Sequence, residues 1–208
     1  MIITIAGRYG CGARDIARKV AADLNYTVYD DEIVTAAYET GGALLDEEEL
    51  RYYDEGIGSL ISDDIAGQSE TEEETENMAL DVLPLDLRLN AAIQGALNRL
   101  ADNDDCVFVG RCANYYLRHR NNAVMLFVTD SEDNKIKRIM KRRSCNADTA
   151  RKISEMADKR REEVYSFFTG GKWDDADNYG LCVNTGVLGE DGTARLIAEL
   201  VKLKAKQL

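Results

Sequence analysis

Proline, histidine and tryptophan occur once each in the 208 residues, at Pro84, His119 and Trp173. One histidine leaves no cluster for a metal ion and no partner pattern for a nucleophilic serine or cysteine. His119 lies in the basic run Arg118-His119-Arg120 and reads as a surface residue rather than a catalytic base. The five cysteines (Cys11, Cys106, Cys112, Cys145, Cys182) are odd in number, scattered and without a CxxC pair. That excludes an evident disulfide framework or zinc site, and reduced thiols are expected. No apolar run approaches the ~20 residues that span a bilayer, and the first residues are strand-like where a leader would carry a charged region. A soluble, cytoplasmic protein without a membrane partner is the expectation. Positive charge is scarce: 26 Lys and Arg against 38 Asp and Glu leave a formal net charge of −12. Nucleic-acid binding depends on neutralising several phosphates with Lys and Arg, so nucleic acid is not an expected partner. No internal repeat or heptad array is present.

What is present suffices for one good core: 45% of the residues are hydrophobic, and the length suits a single domain, 1–208, rather than two. A homo-oligomer is compatible with this, though the sequence does not fix the assembly. The charge is unevenly spread, with acid gathered in residues 44–81 and Lys and Arg in residues 135–161. A local basic patch on an acidic chain suits a small anion better than a long polyanion.

Residues 1–20 organise the rest. An apolar run, Ile2-Ile3-Thr4-Ile5, feeds the loop Gly7-Arg8-Tyr9-Gly10-Cys11-Gly12-Ala13-Arg14, and an amphipathic helix with Ile16, Ala17, Val20, Ala21 and Leu24 follows. Strand, glycine loop and helix place backbone N–H groups at a helix N-terminus, where the unpaired donors and the positive dipole end favour a phosphate. Gly7 and Gly12 keep the glycine spacing of a Walker-type loop, but Ala13 stands at the lysine position and Arg14 at the magnesium-binding hydroxyl position. Arg8 and Arg14 supply guanidinium groups that can grip phosphate oxygens instead. The competing reading of this loop is an ordinary strand-to-helix turn. Cys11 sits at a helix N-terminus, where a thiol can become acidic and reactive; an inert thiol is the preferred reading.

Residues 25–31 form a short strand ending in Asp30 and Asp31. At a strand's carboxyl end either can face a ligand, while Asp30 can equally cap the helix starting at Glu32. Residues of about 40–81 are polar and acidic and read as a mobile, solvated segment containing one helix at residues 46–53. Pro84 is placed to start an amphipathic helix over residues 85–101. The unalternated runs at residues 106–109, 123–128 and 181–183 read as strands buried on both faces, and a helix is expected at residues 193–204. Strands alternating with helices imply an α/β fold with a parallel sheet covered by helices on both faces. Residues 133–168 read as a helix, a basic turn and a second helix, a solvated hairpin on charge alone. Trp173 is a packing anchor rather than a stacking platform, and the Tyr52-Tyr53 and Tyr115-Tyr116 pairs are half-buried aromatics.

The loop from Gly7 to Ala17 resembles the lysine-lacking loop of the cytidylate kinase-like proteins, a branch of the P-loop nucleoside monophosphate kinases. Val28-Tyr29-Asp30-Asp31-Glu32-Ile33, Val107-Phe108-Val109-Gly110-Arg111-Cys112-Ala113, Asp158-Lys159-Arg160-Arg161 and Tyr179-Gly180-Leu181-Cys182-Val183-Asn184-Thr185 are similar to the family in the same order. The resemblance implies a three-layer P-loop kinase-like fold with a helical lid at about 135–165. It implies phosphoryl transfer from ATP, with Mg²⁺, to a nucleotide such as CMP or dCMP. Gly7, Arg8, Tyr9, Gly10, Cys11, Gly12, Ala13, Arg14 and Asp15 would then hold the donor phosphates. Arg111 resembles the acceptor-binding arginine, with Asp30 at the substrate, and Arg14, Arg111, Arg142, Arg160 and Arg161 would stabilise the transferring group. Two positions depart from the pattern: Cys112 replaces an aspartate of true cytidylate kinases, and Gly180 stands where relatives often carry aspartate. No sequence feature selects among Asp15, Asp30 and Asp31 as a magnesium ligand. The rival functions are a nucleotide-binding regulatory module without turnover, an inactive pseudokinase, and a structural α/β domain.

Overall fold

Five short strands rich in Ile, Val and Phe form one sheet, all in parallel pairs, in the order β2-β3-β1-β4-β5. They are β1 (Ile2–Gly7), β2 (Thr27–Tyr29), β3 (Cys106–Val109), β4 (Ala123–Thr129) and β5 (Leu181–Asn184). The computed structural model describes residues 1–41 and 86–208. The acidic segment, its expected helix at residues 46–53, Tyr52-Tyr53 and Pro84 lie outside the described residues. Helices connect the strands: α1 (Ala13–Leu24), α2 (Glu32–Gly41), α3 (Asp86–Asn103), α4 (Ala113–Tyr116), α5 (Glu132–Arg143), α6 (Ala147–Thr169) and α7 (Thr185–Ala205). None of the described helices is long and apolar enough to cross a membrane.

Contacts divide the chain into two units, one of residues 1–30 with 97–208 and one of residues 31–96. The second includes α2 and the start of α3, where Ile33, Ala36, Ala37, Ala92, Ile93 and Ala96 are buried. The first carries the sheet, and alternation along its strands sorts side chains to two faces. Ile3 and Ile5 of β1, with Leu126 and Val128 of β4, join Ile16, Val20, Ile197 and Val201 from α1 and α7 in the larger core. Ala6 and Phe127 point the other way, into an aromatic cluster with Tyr165 and Trp173. Trp173 is buried and meets Phe127 edge-on at 5.2 Å between centroids, the anchoring role expected for it.

The basic region is a helical hairpin. The Ser131 side chain caps α5 by accepting from the Asn134 N–H, and Glu132 and Asp133 occupy its first turn while Lys141, Arg142 and Arg143 occupy its last. That distribution complements the helix dipole at both ends. Ser144, in a left-handed conformation, turns the chain, and the Asn146 side chain caps α6. An ion pair between Arg151 and Glu132 ties the two helices together.

Candidate functional site

Strand β1 is central: β3 flanks it on one side and β4 on the other, and the chain crosses over it between the two. The carboxyl ends at such a crossing form the crevice in which open α/β sheets place ligands. The loop after Gly7 leaves the sheet at that end. Gly7 is required by close approach, since a Cβ there would stand 2.4 Å from the Val128 carbonyl oxygen and 2.9 Å from Cys11 Sγ. Gly10 and Gly12 have φ of +82° and +89°, in the left-handed region that glycine enters freely. Gly12 then caps α1, and Asp15 sits in the first helical turn.

Cations crowd this loop, and carboxylates answer Arg8, Arg14 and Arg142. Arg14 forks onto Asp30, with Nε 2.6 Å from Oδ2 and Nη2 donating to Oδ1 at 3.2 Å. That places Asp30 beside the loop, as one of the two readings of the sequence required. Arg8 pairs with Asp174 at 2.6 Å and lies over the Trp173 ring at 5.3 Å. Arg142 reaches Asp15 at 3.3 Å, and Arg143 donates to the Tyr9 hydroxyl at 3.4 Å. Arg161 donates to the Gly7 carbonyl at 2.7 Å. The α5–α6 hairpin therefore sends at least three arginines to the glycine loop.

Several residues that the sequence reading did not select complete the site. Arg138 donates to the Gly10 carbonyl at 3.2 Å, to Asp130 at 2.5 Å and to Glu190 at 3.2 Å. The Asp130 carboxylate is fully buried just past β4 and also accepts from the Ser131 N–H and Asn134 Nδ2. Burial alone would raise its pKa, but the hydrogen bonds from Arg138, Asn134, Thr185 and Ser131 outweigh that and hold it below the usual carboxylate range. Thr185 Oγ1, buried at the start of α7, lies 3.1 Å from the carbonyls of both Cys11 and Thr129 and stitches the loop to β4. The signal for Asp130 was available: it follows a buried strand just as Asp30 follows β2. Arg138 was one basic residue among many in α5, and helix spacing alone did not mark it.

Arg111 leaves β3 at the same edge of the sheet, since Val109 is in register with Ile5 and the Gly110 N–H donates to the Ile5 carbonyl at 3.0 Å. Gly110, Arg111 and Cys112 all have positive φ, +69°, +54° and +53°. Such strain in non-glycine residues concentrates at functional sites. Arg160 differs from its neighbour Arg161: its buried Nε has no hydrogen-bond partner among the described residues, and no bond ties it to the loop. Cys11 is 1% exposed, and burial pushes its thiol up to about 11, against a hydrogen bond from the Ala13 N–H and the nearby Arg161 and Arg138 charges. Desolvation here exceeds the helix-terminus effect, so the alternative of an acidic, reactive Cys11 is set aside. His119 is exposed, and Tyr115 and Tyr116 are half-buried, as expected.

No group of three or more His, Cys, Asp or Glu side chains suited to a metal ion occurs among the described residues. Asp15 and Asp30 are each engaged by an arginine, Arg142 and Arg14 respectively.

Comparison with known proteins agrees with this architecture. An uncharacterized protein from Eubacterium ventriosum ATCC 27560 superposes with a TM-score of 0.69 at 20% identity, covering 97% of this chain and 98% of the other. A shikimate kinase from Acinetobacter baumannii, solved with shikimate, superposes with a TM-score of 0.53 at 12% identity over 97% of this chain and 93% of the other. TT1252 from Thermus thermophilus gives 0.51 at 20% identity over 98% and 97%. These likenesses establish a three-layer kinase-like fold. No relative matches among curated proteins. The family model that describes cytidylate kinase-like proteins matches residues 2–187, which include the glycine loop, the strained turn after β3 and the basic hairpin. With that match the kinase-like fold and its loop find their family, and the chain belongs to the cytidylate kinase-like family.

Proposed function

We propose that the protein is a cytoplasmic, ATP-dependent nucleotide kinase that transfers a phosphoryl group to a nucleoside monophosphate, CMP or dCMP first among them. The observation that supports this reading is the convergence of Arg8, Arg14, Arg138, Arg142 and Arg161 on the glycine loop at the carboxyl end of β1. Phosphoryl transfer asks little covalent chemistry of the protein; it asks for alignment and for positive charge where the transferring oxygens gather negative charge. In this reading the loop N–H groups and Arg14 hold the donor phosphates, and Arg111 orients the acceptor phosphate. An oxygen of that phosphate attacks the γ-phosphorus, a new P–O bond forms as the bond to the bridging oxygen of ADP breaks, and ADP leaves with the electron pair. Arg142 and Arg161, on the two helices of the hairpin, act as the lid that neutralises the group in transit and excludes water, with Arg160 available to join them. Magnesium, bound with ATP, would add charge neutralisation at the phosphate tail.

A coupled assay with ATP, Mg²⁺ and a panel of nucleoside monophosphates tests the reading. ADP release above background that depends on one acceptor is expected, and its absence for every acceptor would sink the kinase assignment. One observation favours a second reading, a nucleotide-binding regulatory module: the loop itself contains no lysine, and carboxylates already engage Arg8, Arg14, Arg138 and Arg142. Saturable ATP binding by calorimetry without turnover would select that module over the kinase.

A further inference from the structure

The loop's anion-binding geometry already contains an anion, and it belongs to the chain. Asp158, buried on α6, accepts a hydrogen bond from the backbone N–H of Tyr9 through Oδ1 at 2.6 Å. Its Oδ2 lies 3.5 Å from Lys135 Nζ and 3.8 Å from Arg8 Nη1, and Arg161 Nη1 is 3.8 Å from Oδ1. One loop N–H and three cations around a single carboxylate form the constellation that would receive a phosphate oxygen. A cleft of about 330 Å³ opens beside it between α5 and α6, lined by Arg8, Lys135, Arg151, Ser154 and Asp158 among others. Ser154 is buried there, and its hydroxyl has no hydrogen-bond partner among the described residues.

We infer that Asp158 is a built-in competitor that occupies this anion site in the free protein, and that it makes the site select polyphosphates over orthophosphate. The inference rests on the reading of the loop as a phosphate cradle and adds a specificity determinant to it. Displacing the carboxylate costs its hydrogen bond and its share of three cations. A triphosphate tail offsets that loss because it carries more charge and spans several of the cations at once. Orthophosphate carries less charge, contacts fewer of them, and loses to a carboxylate already tethered in place. The cleft gives the displaced carboxylate room, and the Ser154 hydroxyl offers it a donor.

The full-length protein supplies its own reporter, because Trp173 lies 5.3 Å from the Arg8 guanidinium and 6.0 Å from that of Arg161. Wild type, Asp158→Asn and Asp158→Ala are titrated with sodium tripolyphosphate and with inorganic phosphate, followed by tryptophan fluorescence and calorimetry. Wild type is expected to bind tripolyphosphate and to bind orthophosphate at least tenfold more weakly. Both variants should gain tenfold or more for orthophosphate, and acetate should compete with orthophosphate in Asp158→Ala alone. Folded variants that bind orthophosphate no better than wild type overturn the inference and leave the cradle reading standing. Absence of saturable tripolyphosphate binding in all three proteins overturns both. Amide NMR of the wild type decides the case independently of variant folding: the Tyr9 N–H resonance should move with tripolyphosphate and stay with orthophosphate at equal concentration, and a Tyr9 shift of equal size with both anions overturns the inference.

Discussion

The Asp130 carboxylate and the Arg138 guanidinium show how much of the site is fixed by single groups. Asp130 is fully buried at its side chain, while Arg138 remains 31% exposed, so the pair keeps some solvent screening. Asp130→Asn leaves Arg138 with Glu190 as its remaining charge partner, and a loss of about 2 kcal/mol at pH 7 is expected in urea unfolding. The folded pKa of Asp130 lies below its unfolded value of about 3.9. Its stabilising contribution is therefore complete above that value and disappears as pH falls through the lower folded one. The gap between wild type and variant should narrow in acid, and a constant gap from pH 7 to pH 3 would contradict the assignment. Gly7→Ala is a second test at this scale: the added Cβ meets a backbone carbonyl that cannot yield cheaply, and about 1 to 3 kcal/mol of destabilisation follows. The cysteines give a third. Burial pushes Cys11 up to about 11 and Cys106 up to about 12, so iodoacetamide at pH 8 should label exposed Cys182 and half-buried Cys145 while sparing both. The loop glycines and its two arginines were legible from spacing and residue type. Asp30, which pairs with Arg14, was also within reach of the sequence, but the carboxylates beside Arg8 were not, because Asp158 and Asp174 reach the loop from more than 140 positions away in the chain.

The turn after β3 stores conformational energy at the scale of an element. Gly110 enters the left-handed region freely, but Arg111 and Cys112 follow it there, each at a cost of roughly 1 to 2 kcal/mol for an L-residue. Arg111→Gly removes one of these penalties. Its melting temperature should rise by about 2 to 4 °C, the shift that ~1 kcal/mol produces in a chain of this size. Acceptor-dependent turnover should fall in the same variant, and a lower melting temperature would show that the contacts of the Arg111 side chain outweigh the strain at its backbone. The sequence offers no sign of this conformation, since neither Arg nor Cys favours it as Asn or Gly does. The strands were legible because buried parallel strands appear as short unalternated apolar runs, and each expected run is a strand of the sheet. The last helix was legible only from Thr193 onward. It begins at Thr185, where an Asn184 cap and a break at Gly189 open a stretch that leaves Val187 and Leu188 exposed. With its apolar residues turned outward and three glycines among its first eight residues, that stretch carries no helical period.

At the scale of the molecule, two fields of opposite sign act on an anionic ligand. The net charge of −12 repels it at a distance, while the arginines around the glycine loop attract it at contact. Salt separates the two, because the Debye length is ~30 Å at 0.01 M and ~10 Å at 0.1 M. Raising salt over that interval screens the long-range repulsion by the net charge before it reaches ion pairs a few ångströms long. The association rate of a polyphosphate, read from Trp173 fluorescence in stopped flow, should therefore rise between 10 and 100 mM NaCl, whereas a cationic protein would show the opposite trend. Dissociation should speed up over the same range as contact pairs begin to weaken, so the affinity changes less than either rate. If association falls steadily from the lowest salt, the local arginine field already governs the approach and the acidic residues do not act at that distance. Replacing the glutamates of residues 72–76 with glutamine distinguishes the two cases: it should raise the low-salt association rate and flatten its salt dependence, and an unchanged rate would place the repulsion elsewhere on the chain.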